Sequence, residues 1–250
     1  MVLKVLGSTS KGNCYLLEAS DEVLIIEAGV SLIDIKKTLH FQIHKAVGAI
    51  VSHLHRDHSK FIKDLTGSGI NVLALPSVFE SHKLNNCFCI NIAPLKGYKV
   101  GGFTVYTLPV AHDVPCLGFV ITHKEMGKLL FVTDTMMLEY KIPGLNHIMI
   151  EANYSDTILQ DNILSGAVPA SMKQRLLQSH MELSTTKEYL LSNDISKVHE
   201  IILLHLSDNN SNSEVFRETI SKATGKPIYV ANKGLELDLY NYAEKEDRLF

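Results

Sequence analysis

Short alternating runs of apolar and polar residues occupy both ends of the chain, and helical spacing fills the intervals between them. Residues 2–6, 14–19 and 23–27 read as strands, with a turn of small residues from Gly7 to Asn13 between the first two. Ser31 followed by Asp34 marks a helix start, and Leu32, Ile35 and Leu39 share its buried face. Residues 46–51 form a continuous apolar run, as in a strand buried on both sides, and it stops at Ser52-His53. A helix through Phe61, Ile62 and Leu65 ends near Gly67, a strand follows at 72–75, and another helix starts at Ser77.

The second half repeats this alternation. A strand at 103–108 leads to Ala111-His112. Strands at 116–122 and 129–133 pair as a hairpin across Glu125-Met126-Gly127, and the second ends at Asp134. A strand at 148–150 ends at Glu151. Residues 156–193 read as two or three helices, the last opened by a capping box of Thr185 and Glu188. A strand at 201–204 ends at His205. A helix at 213–224 turns Phe216 and Ile220 inward, and strands at 228–231 and 235–240 close the chain. No linker or low-complexity stretch interrupts the order, so one α/β domain over residues 1–250, layered on two mixed sheets, is expected.

The chemistry collects where strands end. His53-Leu54-His55-Arg56-Asp57-His58 puts three imidazoles and a carboxylate just past an apolar strand. Imidazole and carboxylate together suit zinc, iron or manganese. His53 and His55 alternate to one side and can share an ion, while Asp57 and His58 can reach a second. His112, Asp134 and His205 each follow another strand, and strand ends on one sheet edge are where α/β proteins gather their sites.

Composition narrows the picture. With 46 % apolar and 20 % charged residues the chain is neither disordered nor collagen-like. No apolar run approaches the ~20 residues of a membrane span. The N-terminus has no cleavable apolar segment, and the four cysteines show no C-x-x-C spacing, so reduced thiols in the cytoplasm are expected. A net charge of −3 excludes an all-over electrostatic grip on nucleic acid but permits a local basic lip, for which Arg56, Lys60 and Lys63 are candidates.

With these motifs in place, the chain resembles the metallo-β-lactamase-fold hydrolases over nearly its whole length. The resemblance rests on the glycine-rich opening, Glu27-Ala28-Gly29, the His53–His58 motif, His112, Asp134 and His205. It implies a four-layer αββα sandwich of two mixed β-sheets. It also implies a dinuclear centre with His53, His55 and His112 on one ion, Asp57, His58 and His205 on the other, and Asp134 bridging. Zinc is the usual metal of such proteins and manganese an alternative. The opening from Gly7 to Cys14 and the run from Ile150 to Tyr154 are most similar to the WalJ-like (YycJ-like) branch, whose members are regarded as DNA exonucleases. Ser179-His180-Met181 and the stretch from His205 to Asn210 look like the versions in prophage-type relatives.

Three departures qualify the resemblance. Glu27 stands where the family usually has aspartate. No insertion is long enough for the arm of the ribonuclease Z branch. The interval from Asp134 to His205 is too short for the domain inserted in β-CASP nucleases.

The implied activity is hydrolysis of a phosphodiester, with DNA or a nucleotide as substrate. Hydrolysis of a cyclic nucleotide, thioester or lactone is the alternative on the same fold. Asp57 and His180 are the catalytic candidates. His180 lies in a polar break between helices and is the expected proton donor to a leaving alkoxide. Glu151 is a candidate partner behind the ligands, and Asn153, Asn209 and Asn210 are candidate phosphate contacts. His40, His44, His82, His123, His147 and His199 are read as non-ligands.

Overall fold

The computed structural model describes residues 1–240. Strands β1 (Val2–Thr9), β2 (Gly12–Glu18), β3 (Val23–Ile26), β4 (Ala46–Ile50), β5 (Val72–Ala74) and β6 (Cys89–Asn91) build the first sheet. Strands β7 (Gly97–Val100), β8 (Phe103–Val110), β9 (Cys116–His123), β10 (Gly127–Val132), β11 (His147–Glu151), β12 (Glu200–Leu204) and β13 (Ile228–Val230) build the second. Strand β14 (Glu236–Asp238) returns to pair with β1. The spatial orders are β14-β1-β2-β3-β4-β5-β6 and β13-β12-β11-β10-β9-β8-β7. Both sheets are mixed: the β3–β6 pairings and the β10–β13 pairings are parallel, the rest antiparallel.

The pleat sorts the side chains of the second sheet. Leu129, Phe131, Met149, Ile202 and Leu204 enter the core between the sheets, where they meet Leu3, Tyr15 and Leu17. Their alternates Leu130, Val132, Ile148, Ile150, Ile201 and Leu203 face outward, under α7 (Leu183–Ser192) and α8 (Ser213–Thr224). Helices α1 (Leu32–Thr38), α3 (Ile62–Gly67) and α4 (Pro76–Ser81) cover the first sheet through Ile35, Ile62, Leu65, Val78 and Phe79. The result is the αββα layering that the sequence resemblance implies. Helix α2 (Arg56–Ser59) is a single turn after β4, and α5 (Asp156–Leu164) and α6 (Ser171–Ser179) fill the connection from β11 to α7.

Several local expectations need correcting. The first turn is tighter than the run of small residues suggested, with β1 reaching Thr9 and β2 starting at Gly12. Helix α7 starts earlier than Thr185: Glu182 caps it by accepting the Ser184 N–H, and Thr186 donates instead to the Glu151 carbonyl. The strand expected over 235–240 is confined to Glu236–Asp238. Strands β6 and β7 are additions to the expected order, each only three or four residues long and too short to stand out as a run.

Candidate metal centre

Strand direction gathers the site. Strands β8, β10, β11 and β12 run the same way, so His112, Asp134, Glu151 and His205 arrive at one edge. Strand β4 delivers the His53–His58 loop from the first sheet. Backbone hydrogen bonds fix that loop: Ala28 N–H donates to the His58 carbonyl, and Phe61 N–H donates to the Ala28 carbonyl. Only glycine fits at position 29, because a Cβ there would stand 1.7 Å from the Asp57 carbonyl oxygen. Glu27 holds a left-handed conformation (φ 68°) just before this contact, and His205 does so at the opposite wall (φ 53°).

Two separate donor groups result, and a third, of Asp134, Glu151, His180 and His205, overlaps the second. His53, His55 and His112 form the first, and Asp57, His58, Asp134 and His205 form the second. In each group the potential ligand atoms lie within 4.8 Å of one another. In the first, His55 Nδ1 and His112 Nε2 are 3.2 Å apart. His112 Nδ1–H donates to the Ser179 carbonyl at 2.9 Å, so the neutral ring turns its lone pair on Nε2 inward. His53 Nδ1 meets the Ser52 hydroxyl at 2.9 Å, while its buried Nε2 has no hydrogen-bond partner among the described residues. A buried, partnerless imidazole nitrogen beside two converging ones fits a bound cation. The 3.2 Å spacing is close to the ~3.3 Å that two nitrogens ~2.0–2.1 Å from a tetrahedral zinc would span.

In the second group His58 Nε2 lies 3.3 Å from Asp57 Oδ2 and 3.2 Å from Asp134 Oδ1. His205 Nε2 lies 3.4 Å from the same Asp57 oxygen. Asn13 Nδ2 donates to Asp57 Oδ2 at 3.3 Å. Behind His58, Glu27 Oε1 stands 3.5 Å from Nδ1, and Glu27 Oε2 accepts the Ser52 N–H. The two groups adjoin through His53 and His58, whose ring centres are 4.2 Å apart.

Charge in the site follows from burial and proximity. Burial, aided by the His58 charge, holds the His53 imidazole well below its usual range and therefore neutral. Burial alone would raise Asp134, but His205 and His58 outweigh it and hold its carboxyl well below the usual range. Asp57 is likewise held down, with hydrogen bonds from His205 and His58 overcoming burial. Both carboxylates are thus ionised and suited to a cation. His180 sits beside the second group, its ring stacked on His205 at 5.4 Å. Its Nδ1–H donates to Glu151 Oε1 at 2.6 Å. Burial pulls the His180 imidazolium down, but the Glu151 carboxylate and its hydrogen bond outweigh that, and the pKa is raised to about 9.

All seven sequence-predicted ligands converge here, with His180 at their margin. Glu151 is fully buried and locked by the Thr135 and Met181 N–H groups as well as by His180. Asn153 bonds His205 through its side chain rather than facing outward, and Asn210 is buried and tied to Asn162 and Met172. Of the expected basic lip, Lys63 lines a separate groove with Ser31 and Lys36, and Lys60 lies over the Phe61 ring. Sequence reasoning did not find Asn13, Ser52, Asp113 or Arg175. The first two are small polar residues common in turns. Asp113 is inconspicuous next to His112, and Arg175 reaches the site only through the fold of α6. His82 is not a ligand; its Nε2 meets Ser59 at 2.8 Å.

No family model matches the chain. The chain is 23 % identical to the exodeoxyribonuclease WalJ of Streptococcus pneumoniae serotype 2, over 97 % of its own length and 94 % of that protein. Among solved structures it is similar to the metallo-β-lactamase-fold protein YhfI from Bacillus subtilis, with a TM-score of 0.74 and 19 % identity, covering 94 % of this chain and 98 % of that one. A diphosphatase of the PhnP family gives a TM-score of 0.64 and 15 % identity, with 94 % and 96 % covered. The chain therefore has the metallo-β-lactamase fold. No helix among the described residues is long and apolar enough to cross a membrane.

Proposed function

We propose that this chain is a two-metal phosphodiesterase that removes nucleotides from DNA ends. The observation that carries the reading is the pair of adjoining donor groups with a Glu151-backed histidine at their rim. His53, His55 and His112 would hold one divalent ion, and Asp57, His58 and His205 the other, with Asp134 shared. Zinc is the first choice and manganese the second. When bound, two such ions would supply an acidified water at neutral pH and neutralise charge on a phosphoryl oxygen.

The chain supplies the rest. Asp57, ionised and braced by Asn13, holds its oxygen toward both His58 and His205. His180 stores a proton against Glu151, with its other ring nitrogen available to a leaving alkoxide. Beside it opens a cavity of about 240 Å³ lined by Ser10, Arg175, Ser207 and Asn209 among others, which offers a guanidinium and several donors to a phosphate. Likeness to a deoxyribonuclease over nearly the whole chain favours DNA over other phosphodiesters.

The test is one parallel assay. Metal-loaded protein is given end-labelled single- and double-stranded DNA, cyclic nucleotides and a thioester, and the bound metal is counted by elemental analysis. Close to two ions per chain and mononucleotide release from DNA are expected. Turnover of the thioester with no phosphodiester cleaved would overturn the reading.

A further inference from the structure

Each ring of the three-histidine group has a nitrogen pointing away from the others, and the three anchors for those nitrogens differ. His53 leans on Ser52 and His112 on the Ser179 carbonyl, both buried. His55 is the most exposed of the three, with 32 % of its side chain open to solvent. Its Nδ1 faces His112, and its Nε2 lies 3.5 Å from Oδ1 of Asp113, a charge contact rather than a formed hydrogen bond. The same oxygen lies 3.1 Å from His112 Nε2. Asp113 belongs to none of the donor groups.

We propose that Asp113 is a positioning residue. Its carboxylate holds the proton of His55 on Nε2, so that Nδ1 presents its lone pair to the three-histidine site. A neutral imidazole has one protonated nitrogen, and whichever one donates leaves the other free to bind metal. His112 carries its proton on Nδ1, which donates to the Ser179 carbonyl, so even without metal His55 Nε2–H is the donor left to Asp113. Carboxylate–histidine–metal relays of this type commonly set ligand affinity by one to two orders of magnitude. Ser52 holds its ring through a buried hydroxyl and Ser179 through a buried carbonyl, whereas Asp113 acts from a half-exposed loop position. Its loss should therefore loosen one ion and leave the other in place.

The inference rests on reading the three histidines as one metal site, and the experiment separates the two ideas. Zinc affinity is measured by competition with a chromophoric chelator for the wild-type chain, Asp113→Ala and Asp113→Asn. In Asp113→Ala one of the two ions should bind about 10–100-fold more weakly, with the second unchanged. Asp113→Asn, which keeps an acceptor oxygen, should recover part of that loss. Nitrogen-15 spectra of the histidine rings in the metal-free wild type should show His55 as the Nε2–H tautomer, and that preference should disappear in Asp113→Ala. The metal-free melting temperature should not move. If both ions bind Asp113→Ala as tightly as wild type, or if the His55 tautomer is unaltered, the positioning role is wrong while the metal site stands. A wild-type chain that takes up no ion overturns both. If Asp113→Ala does not fold, Asp113→Asn and the wild-type tautomer still decide.

Discussion

His180 shows how much one side chain's role depends on its neighbour. Alone, a histidine at a helix end is as readily a cap as a catalyst. Here Nδ1–H is committed to Glu151 at 2.6 Å, and Glu151 is fixed by two backbone donors and full burial, so the ring's other nitrogen is the one free for chemistry. Replacing His180 with alanine should lower kcat on a nucleic-acid diester by about 10²–10⁴-fold. Both ions should stay bound, because neither of the two separate donor groups contains His180. The loss should shrink on a p-nitrophenyl ester, whose leaving group needs no proton. Unchanged kcat on the natural-type diester would remove His180 from the catalytic set. At this scale the candidate ligands were legible in the sequence, because His and Asp directly follow apolar strands. The bracing residues Asn13, Ser52 and Asp113 were not, because a turn residue's role depends on which strand from elsewhere it meets.

Helix α8 is an element whose sequence carries its own instructions. Asn212 caps it by accepting the Glu214 and Val215 N–H groups, and Gly225 ends it in the left-handed conformation (φ 68°). Between them Phe216 and Ile220 are fully buried against the outer face of the second sheet, in the cluster with Ile201 and Leu203. Phe216→Ala should cost about 3–5 kcal/mol in denaturant unfolding. The metal content of the folded fraction should be unchanged, since α8 packs on the face of the sheet turned away from the strand ends. A metal loss at full stability would mean that α8 supports the site directly. Helix α1 was equally readable through Ser31, whose hydroxyl does receive the Asp34 N–H. Helix α7 was not, because its cap, Glu182, lies before the Thr185–Glu188 pattern and is held by the Asp156 N–H of α5, while Thr186 is drawn to the Glu151 carbonyl of β11. Strands β6 and β7 escaped for a related reason: an edge strand needs pairing on one side only and can carry almost any residues.

Across the whole molecule, the interior holds phenols as well as aliphatic groups. Burial raises Tyr15 and Tyr189, and burial together with nearby carboxylates pushes Tyr154 up to about 12. Tyr15 donates to the Ser8 hydroxyl, and Tyr189 donates to the Tyr140 carbonyl, a bond that needs the neutral form. A folded-state pKa above the unfolded value of ~10 means that this stability is complete below pH 10 and is lost as pH rises toward 12. The melting temperature should therefore fall above pH 10. In a phenolate absorbance titration these three rings should ionise only as the chain unfolds, and early ionisation of all nine tyrosines in a folded chain would contradict this. Most of the strand-and-helix order, the two-sheet α/β class and the seven candidate ligands were determined by the sequence itself, because apolar periodicity and residue type are local properties. Tertiary structure alone decided that four strand ends of one sheet and one loop of the other meet at a single edge. It also decided that Glu151 backs His180 and that Asp113 faces His55. Those relations join residues far apart in the chain, and only the packing of two twisted sheets brings them within a few ångströms.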